Sequence, residues 1–241
     1  MSVTLSEARQ VQNRLLDKLS DQELAPALPF FDLVQTGLRD VLVRQGRPIT
    51  HIYFPGNCAH SCVVYMEGGN GVEVGTIGND GFTCVEALFD AHLALETVVC
   101  QIAGASLRIA NRDFQQLIDK GGTLTRVLHC SGQAYLSQVS QSVACNRLHS
   151  IDMRFARWML ITHDRVQGDE FSLTQEFLAA MLGVHRPSVS TVAGMFQQAG
   201  IIRYSRGHMR ILDREKLEEA SCECYQVVRG HFERLLGLPR G

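Results

Sequence analysis

No apolar run in this 241-residue chain approaches the roughly 18 to 20 residues that a membrane-crossing helix needs, so a protein spanning a bilayer in that way is not expected. The opening segment, Met1-Ser-Val-Thr-Leu-Ser-Glu-Ala-Arg9, lacks the apolar stretch of a signal peptide, and a cytoplasmic location is expected. A strong charge of either sign is also missing: 23 Lys and Arg stand against 25 Asp and Glu, a formal −2. That excludes a general nucleic-acid coating protein, which needs overall basicity, but leaves room for one basic face. The eight cysteines (Cys58, Cys62, Cys84, Cys100, Cys130, Cys145, Cys222 and Cys224) include no C-x-x-C pair and no Cys/His set of zinc-finger spacing. Their scatter through apolar segments fits small buried hydrophobes in a reducing compartment. Cys222-Glu-Cys224 is the one close pair. Read as part of a helix, its two thiols face different sides and make a poor clamp for an ion. No metal site, cofactor or catalytic residue is expected.

What the chain does have is a helix-turn-helix pattern from Leu173 to Ala193. Thr174 is a good N-cap, and Phe177, Leu178, Met181 and Leu182 mark one apolar face of a first helix. Gly183 suits a sharp turn, and Pro187 is tolerated in the first turn of a second helix because its missing N–H has no partner there. Val189, Val192 and Met195 or Phe196 form the buried face of that helix. Arg186, Pro187, Ser188, Ser190 and Thr191 are left at its outward N-terminal end, as candidates for contact with base edges.

Beyond it, Gly200 to Asp213 reads as a two-stranded wing around a Ser-Arg-Gly turn. Leu173 to Leu212 holds four Arg (186, 203, 206 and 210) against Glu176 alone, 4 − 1 = +3, so positive charge gathers where a phosphate backbone would lie. Thr174, Gln175, Arg203, Ser205, Arg206 and His208 are the candidate phosphate contacts.

The rest divides into a helical lead-in (residues 6 to 36), a run of short β-segments and then helices. The β-segments are Val41–Val43, Ile52–Phe54, Cys62–Met66, Val72–Val74, Glu96–Ile102 and Ser106–Ile109, separated by glycine turns, which suggests a small jelly roll. Thr123 to Asn146 is one long helix whose Leu124, Leu128, Tyr135, Val139 and Val143 form an incomplete apolar seam, a candidate dimer contact. Ser150 to Asp164 is a support helix closed by Gln167-Gly-Asp169, and Asp213 caps a single last helix running to Leu235. The expected class is α+β, with a β-roll sensor domain over 1–122, a dimerisation helix over 123–146 and a winged-helix domain over 147–241.

This order of elements, together with Asn146-Arg-Leu-His-Ser150, Arg154-Phe-Ala-Arg-Trp158 and Leu173–Asp213, resembles the Crp/Fnr superfamily of bacterial transcription regulators. The resemblance implies a homodimer on a palindromic double-stranded DNA operator, contact with RNA polymerase, and a cyclic-nucleotide-binding-like roll that senses an effector. The family often begins its recognition helix Arg-Glu-Thr-Val-x-Arg; here Pro187 stands at the glutamate and Thr191 at the second arginine, so a different operator is implied. The family's phosphate cassette falls on Glu86, Ala87 and Leu88, and then on Glu96 and Thr97. Val85 replaces its glycine, and no arginine occurs between Phe82 and Ile102. An anionic cyclic phosphate would meet Asp90 and Glu96 there, which argues against cyclic AMP and for another small effector or none. The family's N-terminal cysteine cluster is absent too, since the first cysteine is Cys58.

Two alternatives arise from the residues themselves. A thiol redox switch through Cys58, Cys62, Cys84 or Cys100 requires an exposed thiol of low pKa. A cupin-type metal enzyme, or a haem site, would draw on His51, His60 and His92, which lie far apart in sequence with no His-x-His.

Overall fold

The computed structural model describes residues 3–166 and 168–237. Gln167, one residue of the expected turn after the support helix, and Met1 and Ser2 of the opening segment lie outside them. Thr4 with Glu7 and Ser20 with Glu23 form reciprocal capping boxes that start α1 (Leu5–Val11) and α2 (Asp21–Leu24). The helical lead-in stops earlier than the spacing predicts. After a 3-10 stretch over Ala25–Phe30 that includes Pro26 and Pro29, Phe31–Thr36 is a strand, β1, paired antiparallel with β7 (Gly104–Ala110). Proline cannot donate into a helix, and Phe31 gains a place in the core instead.

β7 also pairs with β3 (His51–Pro55), giving the sheet β1-β7-β3. The second sheet has the order β2 (Val41–Val43), β6 (Thr97–Ile102), β4 (Ala59–Tyr65) and β5 (Gly71–Ile77), and every pairing is antiparallel. Phe31, Phe54, Phe82 and Phe114 pack one against the next with ring centroids 5.4, 5.6 and 5.9 Å apart, and together fill the roll. Phe114 comes from α3 (Asn111–Asp119).

The long helix α4 covers Thr123–Leu148. Its one mid-helix glycine is explained by close approach: a Cβ on Gly132 would stand 2.8 Å from Leu88 Cδ1. The apolar seam expected to face a partner turns inward. Leu128 and Tyr135 are buried in the roll's own core, and Leu124 and Val139 pack against it; of the five seam residues only Val143 is exposed. The roll's apolar contents need covering, and α4 is the long helix that follows α3 in the chain.

The outward face of α4 is a different stripe, Arg126, His129, Gln133, Leu136, Ser140, Val143 and Arg147, spaced alternately three and four residues apart.

Next come α5 (Ile151–His163), α6 (Gln175–Leu182) and α7 (Arg186–Gln198). The wing is a three-stranded sheet of order β8 (Glu170–Ser172), β10 (His208–Ile211) and β9 (Ile202–Ser205), one strand more than the hairpin expected. Residues 155 to 162 of α5 are all buried, as befits a helix packed on several sides.

The single last helix is in fact two, α8 (Arg214–Glu219) and α9 (Cys224–Leu236), with Cys222 and Glu223 at the corner between them. Helix α9 lies along α4 and adds Val228, Phe232 and Leu236 to the core of the roll. Because of the corner, Cys222 and Cys224 do not share a helix, and the premise that set their thiols apart does not hold. The structure brings both to Cys145 and His149 at the end of α4.

Candidate nucleic-acid interface

Thr174 caps α6 by accepting from the Phe177 N–H at 3.2 Å. Gly183 ends it with φ +62°, and the N–H of Val184 returns to the Ala179 carbonyl at 2.9 Å. The turn is fixed from below by Arg154, which donates to the Leu182 carbonyl. Val189, Val192 and Phe196 are buried on α7, while Met195 is exposed, so Phe196 is the third core residue.

The opposite face of α7 is open. Arg186, Pro187, Ser188, Ser190 and Thr191 are all exposed, with Arg186 and Pro187 at the first two helical positions. Gln175 organises two of them: its Oε1 accepts from Ser190 Oγ at 2.7 Å and from Arg186 Nε at 3.5 Å. Arg186 also meets Glu176 at 3.0 Å, an exposed pair that water screens and a stronger anion could displace. Thr191 Oγ1 donates to the Pro187 carbonyl at 3.1 Å.

On the wing, Ser205 pairs with His208 around a two-residue turn of Arg206 (φ +50°) and Gly207 (φ +79°). A positive φ suits glycine or asparagine far better than arginine, so a cation stands at the tip at some conformational cost. Arg203, Ser205, Arg206 and His208 are exposed. Among the described residues neither Arg203 nor Arg206 has an ion pair, whereas Arg210 meets Glu170 at 3.3 Å.

One residue of this surface escaped the sequence reading. Arg39, from the turn between β1 and β2, donates to Thr174 Oγ1 at 3.0 Å across 135 positions of chain. Only the fold could pair them.

The residues at the cassette positions are tied up within the roll. Leu88 packs on α4 at Gly132, and Ala87 is fully buried. Glu86 Oε1 accepts the Leu95 N–H at 2.9 Å, and Thr97 Oγ1 accepts the Gln45 N–H at 3.1 Å. Tyr135 donates to Glu96 Oε2 at 2.6 Å. Burial lifts the Glu96 carboxyl above its ordinary range, and the nearby Glu86 charge adds to the rise, although the Tyr135 hydrogen bond opposes it.

Such a carboxyl keeps its proton longer in the folded than in the unfolded chain. Stability therefore falls as pH rises from 4.5, the ordinary value, through the raised one. Glu96→Gln keeps an acceptor for Tyr135 and removes the buried charge. It is expected to raise Tm at about pH 8 and to change it little at about pH 5. Equal changes at both would assign the effect to packing.

The roll thiols do not suit a redox switch. Cys58, Cys62, Cys84 and Cys100 are all buried, and burial pushes each upward, Cys100 to about 11. His60 is fully buried and pushed down to about 3, so it stays neutral. Among the described residues, His51, His60 and His92 belong to no group of three or more metal-binding side chains. No helix there is long and apolar enough to cross a membrane.

Residues 153–220 match the family model of the Crp-like helix-turn-helix domain. No curated protein matches the sequence. Among solved structures, a crp/fnr-family protein of Eubacterium rectale superposes with TM-score 0.66 at 15% identity, covering 86% of this chain and 96% of its own. FixK2 from Bradyrhizobium japonicum gives 0.65 at 10%, covering 80% and 98%. A CRP-family transcriptional regulator from Thermus thermophilus gives 0.64 at 15%, covering 86% and 98%. The fold is that of the Crp/Fnr regulators, an N-terminal β-roll followed by a long helix and a helix-turn-helix domain.

Proposed function

We propose that this chain, a Crp-like helix-turn-helix domain carried on the Crp/Fnr fold, is a DNA-binding transcription regulator that works as a homodimer. The observation that carries the reading is the open N-terminal end of α7, where Arg186, Pro187, Ser188, Ser190 and Thr191 are exposed opposite a buried Val189, Val192 and Phe196. That end enters the major groove, with Arg186 as the residue able to read guanine. Thr174, Gln175, Arg203, Ser205, Arg206 and His208 follow the phosphates, and Arg39 adds a cation beside Thr174.

The second copy docks on the exposed stripe of α4, through Leu136 and Val143 flanked by His129, Gln133 and Ser140. Contact with RNA polymerase follows from the likeness to transcription regulators and is assigned to no residue. The effector, if there is one, is not cyclic AMP: Glu86 and Glu96 stand at the cassette positions, and no arginine lies between Phe82 and Ile102 to meet its phosphate.

Selection of binding sites from random DNA tests this. The expected product is an inverted repeat, the mark of a two-fold dimer. Arg186→Ala should weaken the selected site by about 1–3 kcal/mol with little effect on random DNA, and Thr191→Ala should relax the preference at one position of each half-site. If both variants weaken selected and random DNA equally, α7 is not the reading helix.

A further inference from the structure

Cys145 ends the buried face of α4, and His149 is the C-cap of that helix. Cys222 and Cys224 arrive from the corner before α9, some 75 positions later in the chain. One ligand atom from each of the four lies within 4.8 Å of all the others. Cys145 Sγ is 3.5 Å from Cys222 Sγ, and Cys224 Sγ is 3.5 Å from His149 Nδ1. With Zn–S near 2.3 Å and Zn–N near 2.0–2.1 Å, a tetrahedral ion sets its sulfurs about 3.8 Å apart and sulfur from nitrogen about 3.5 Å. We propose that Cys145, His149, Cys222 and Cys224 form a closed, four-ligand site for a zinc-class divalent ion, a site that pins the corner between α8 and α9 to the end of the long helix.

The surroundings are built to match. Glu223, between the two corner cysteines, places Oε2 3.3 Å from His149 Nε2. A carboxylate on the outer nitrogen fixes the tautomer that leaves Nδ1 free for an ion. Gln141 Nε2 donates to Cys224 Sγ at 3.1 Å, as an amide does to a metal-bound thiolate. On taking up M2+ the three thiols release three protons, which leaves a centre of formal charge −1. Arg157 is the counter-charge at hand. It is buried with an unpartnered Nε, and it donates to Ser142 Oγ at 3.4 Å, one turn before Cys145 on α4.

The donor set selects the ion. Three sulfurs and one imidazole exclude calcium and magnesium, which take oxygen. The tight spacing suits one ion rather than an iron–sulfur cluster, whose bridging sulfides spread the cysteines over separate irons. With four protein ligands no position is left open for substrate, so the role is structural. The corner belongs to the helix pair that follows the wing, and His149-Ser150 is the joint between α4 and α5. A bound ion therefore fixes how the helix-turn-helix domain sits on α4.

The test is metal content and does not depend on DNA binding. Full-length protein purified under reductant is expected to carry about one zinc per chain. Cobalt added to metal-stripped protein should give the intense thiolate charge-transfer and tetrahedral ligand-field bands. Cys222→Ser and His149→Gln should each weaken retention of the ion at least tenfold, while Cys130→Ser, outside the site, should not. Adding a chelator should lower the Tm of the unaltered protein. The proposal is overturned if folded, reduced protein takes up neither zinc nor cobalt, or if it binds iron with inorganic sulfide. It also fails if Cys145 and Cys222 are joined as a disulfide under reductant, or if both ligand variants keep the ion as firmly as the unaltered chain.

Discussion

Replacing Arg165 by Met is expected to lower the unfolding free energy by about 3–5 kcal/mol, because it removes the buried cation that faces the Asp80 carboxylate. Arg165 closes the turn after α5, and Asp80 sits in the loop after β5; Nε and Oδ1 are 3.5 Å apart, with side chains only 1% and 3% exposed. The same guanidinium donates to the Ile161 carbonyl at 2.9 Å and to Gln138 Oε1 on α4 at 3.3 Å. Its stem covers Gly78, where a Cβ would lie 2.5 Å from Arg165 Cδ. One cation thus joins the roll, the long helix and the support helix of the helix-turn-helix domain.

Asp80→Asn keeps the shape and loses the charge, so it should cost less than Arg165→Met. The double variant Arg165→Met/Asp80→Leu should recover part of the loss, since the buried carboxylate leaves together with the cation that faces it. Urea unfolding followed by the fluorescence of Trp158, the chain's single tryptophan, reads all three. Losses under about 1 kcal/mol for both single variants would place the pair among screened surface contacts, contrary to its burial.

The double substitution Arg203→Ala/Arg206→Ala is expected to weaken binding to every DNA sequence by about a hundredfold or more at 0.15 M salt. On the proposed dimer, with one phosphate met by each arginine of each protomer, four contacts are lost. At about 0.9 per contact, the slope of log K against log salt should shrink by roughly 3 to 4. The wing should survive. Ser205 and His208 remain paired by their backbones, and the left-handed conformation at position 206 is no harder for alanine than for arginine. Binding measured across a salt series on the selected site and on random DNA settles it. An unchanged slope, or a loss confined to the selected site, would remove Arg203 and Arg206 from the phosphate path.

Local signals carried the helix-turn-helix domain well. Thr174 as cap, Gly183 as left-handed turn and Pro187 in a first turn each act on their immediate neighbours, so their chemistry is written in adjacent residues. The strands of the roll were legible for the same reason, through alternation and glycine turns. β1 was missed because the prolines before it mark the end of a helical stretch without specifying the next element. β8 was missed because Glu170–Ser172 has three residues, too few to show a period.

The seam of α4 failed differently. Leu128 and Tyr135 were correctly read as apolar-face residues, but the pattern says only that such a face is covered, never by what. The roll's own contents covered it, which moved the open stripe to Leu136 and Val143.

The sequence by itself determined the helix-turn-helix pair, the outward end of α7 and the lack of a cation at the cassette positions, because each depends on residues close in the chain. Only the tertiary structure could join Arg39 to Thr174, Asp80 to Arg165, and Cys145 and His149 to Cys222 and Cys224. Those contacts span 85 positions or fewer within the last two sets and 135 in the first. Spacing along the chain cannot register them, because they depend on how helices and sheets close over one another and on the corner between α8 and α9 that brings two thiols to α4.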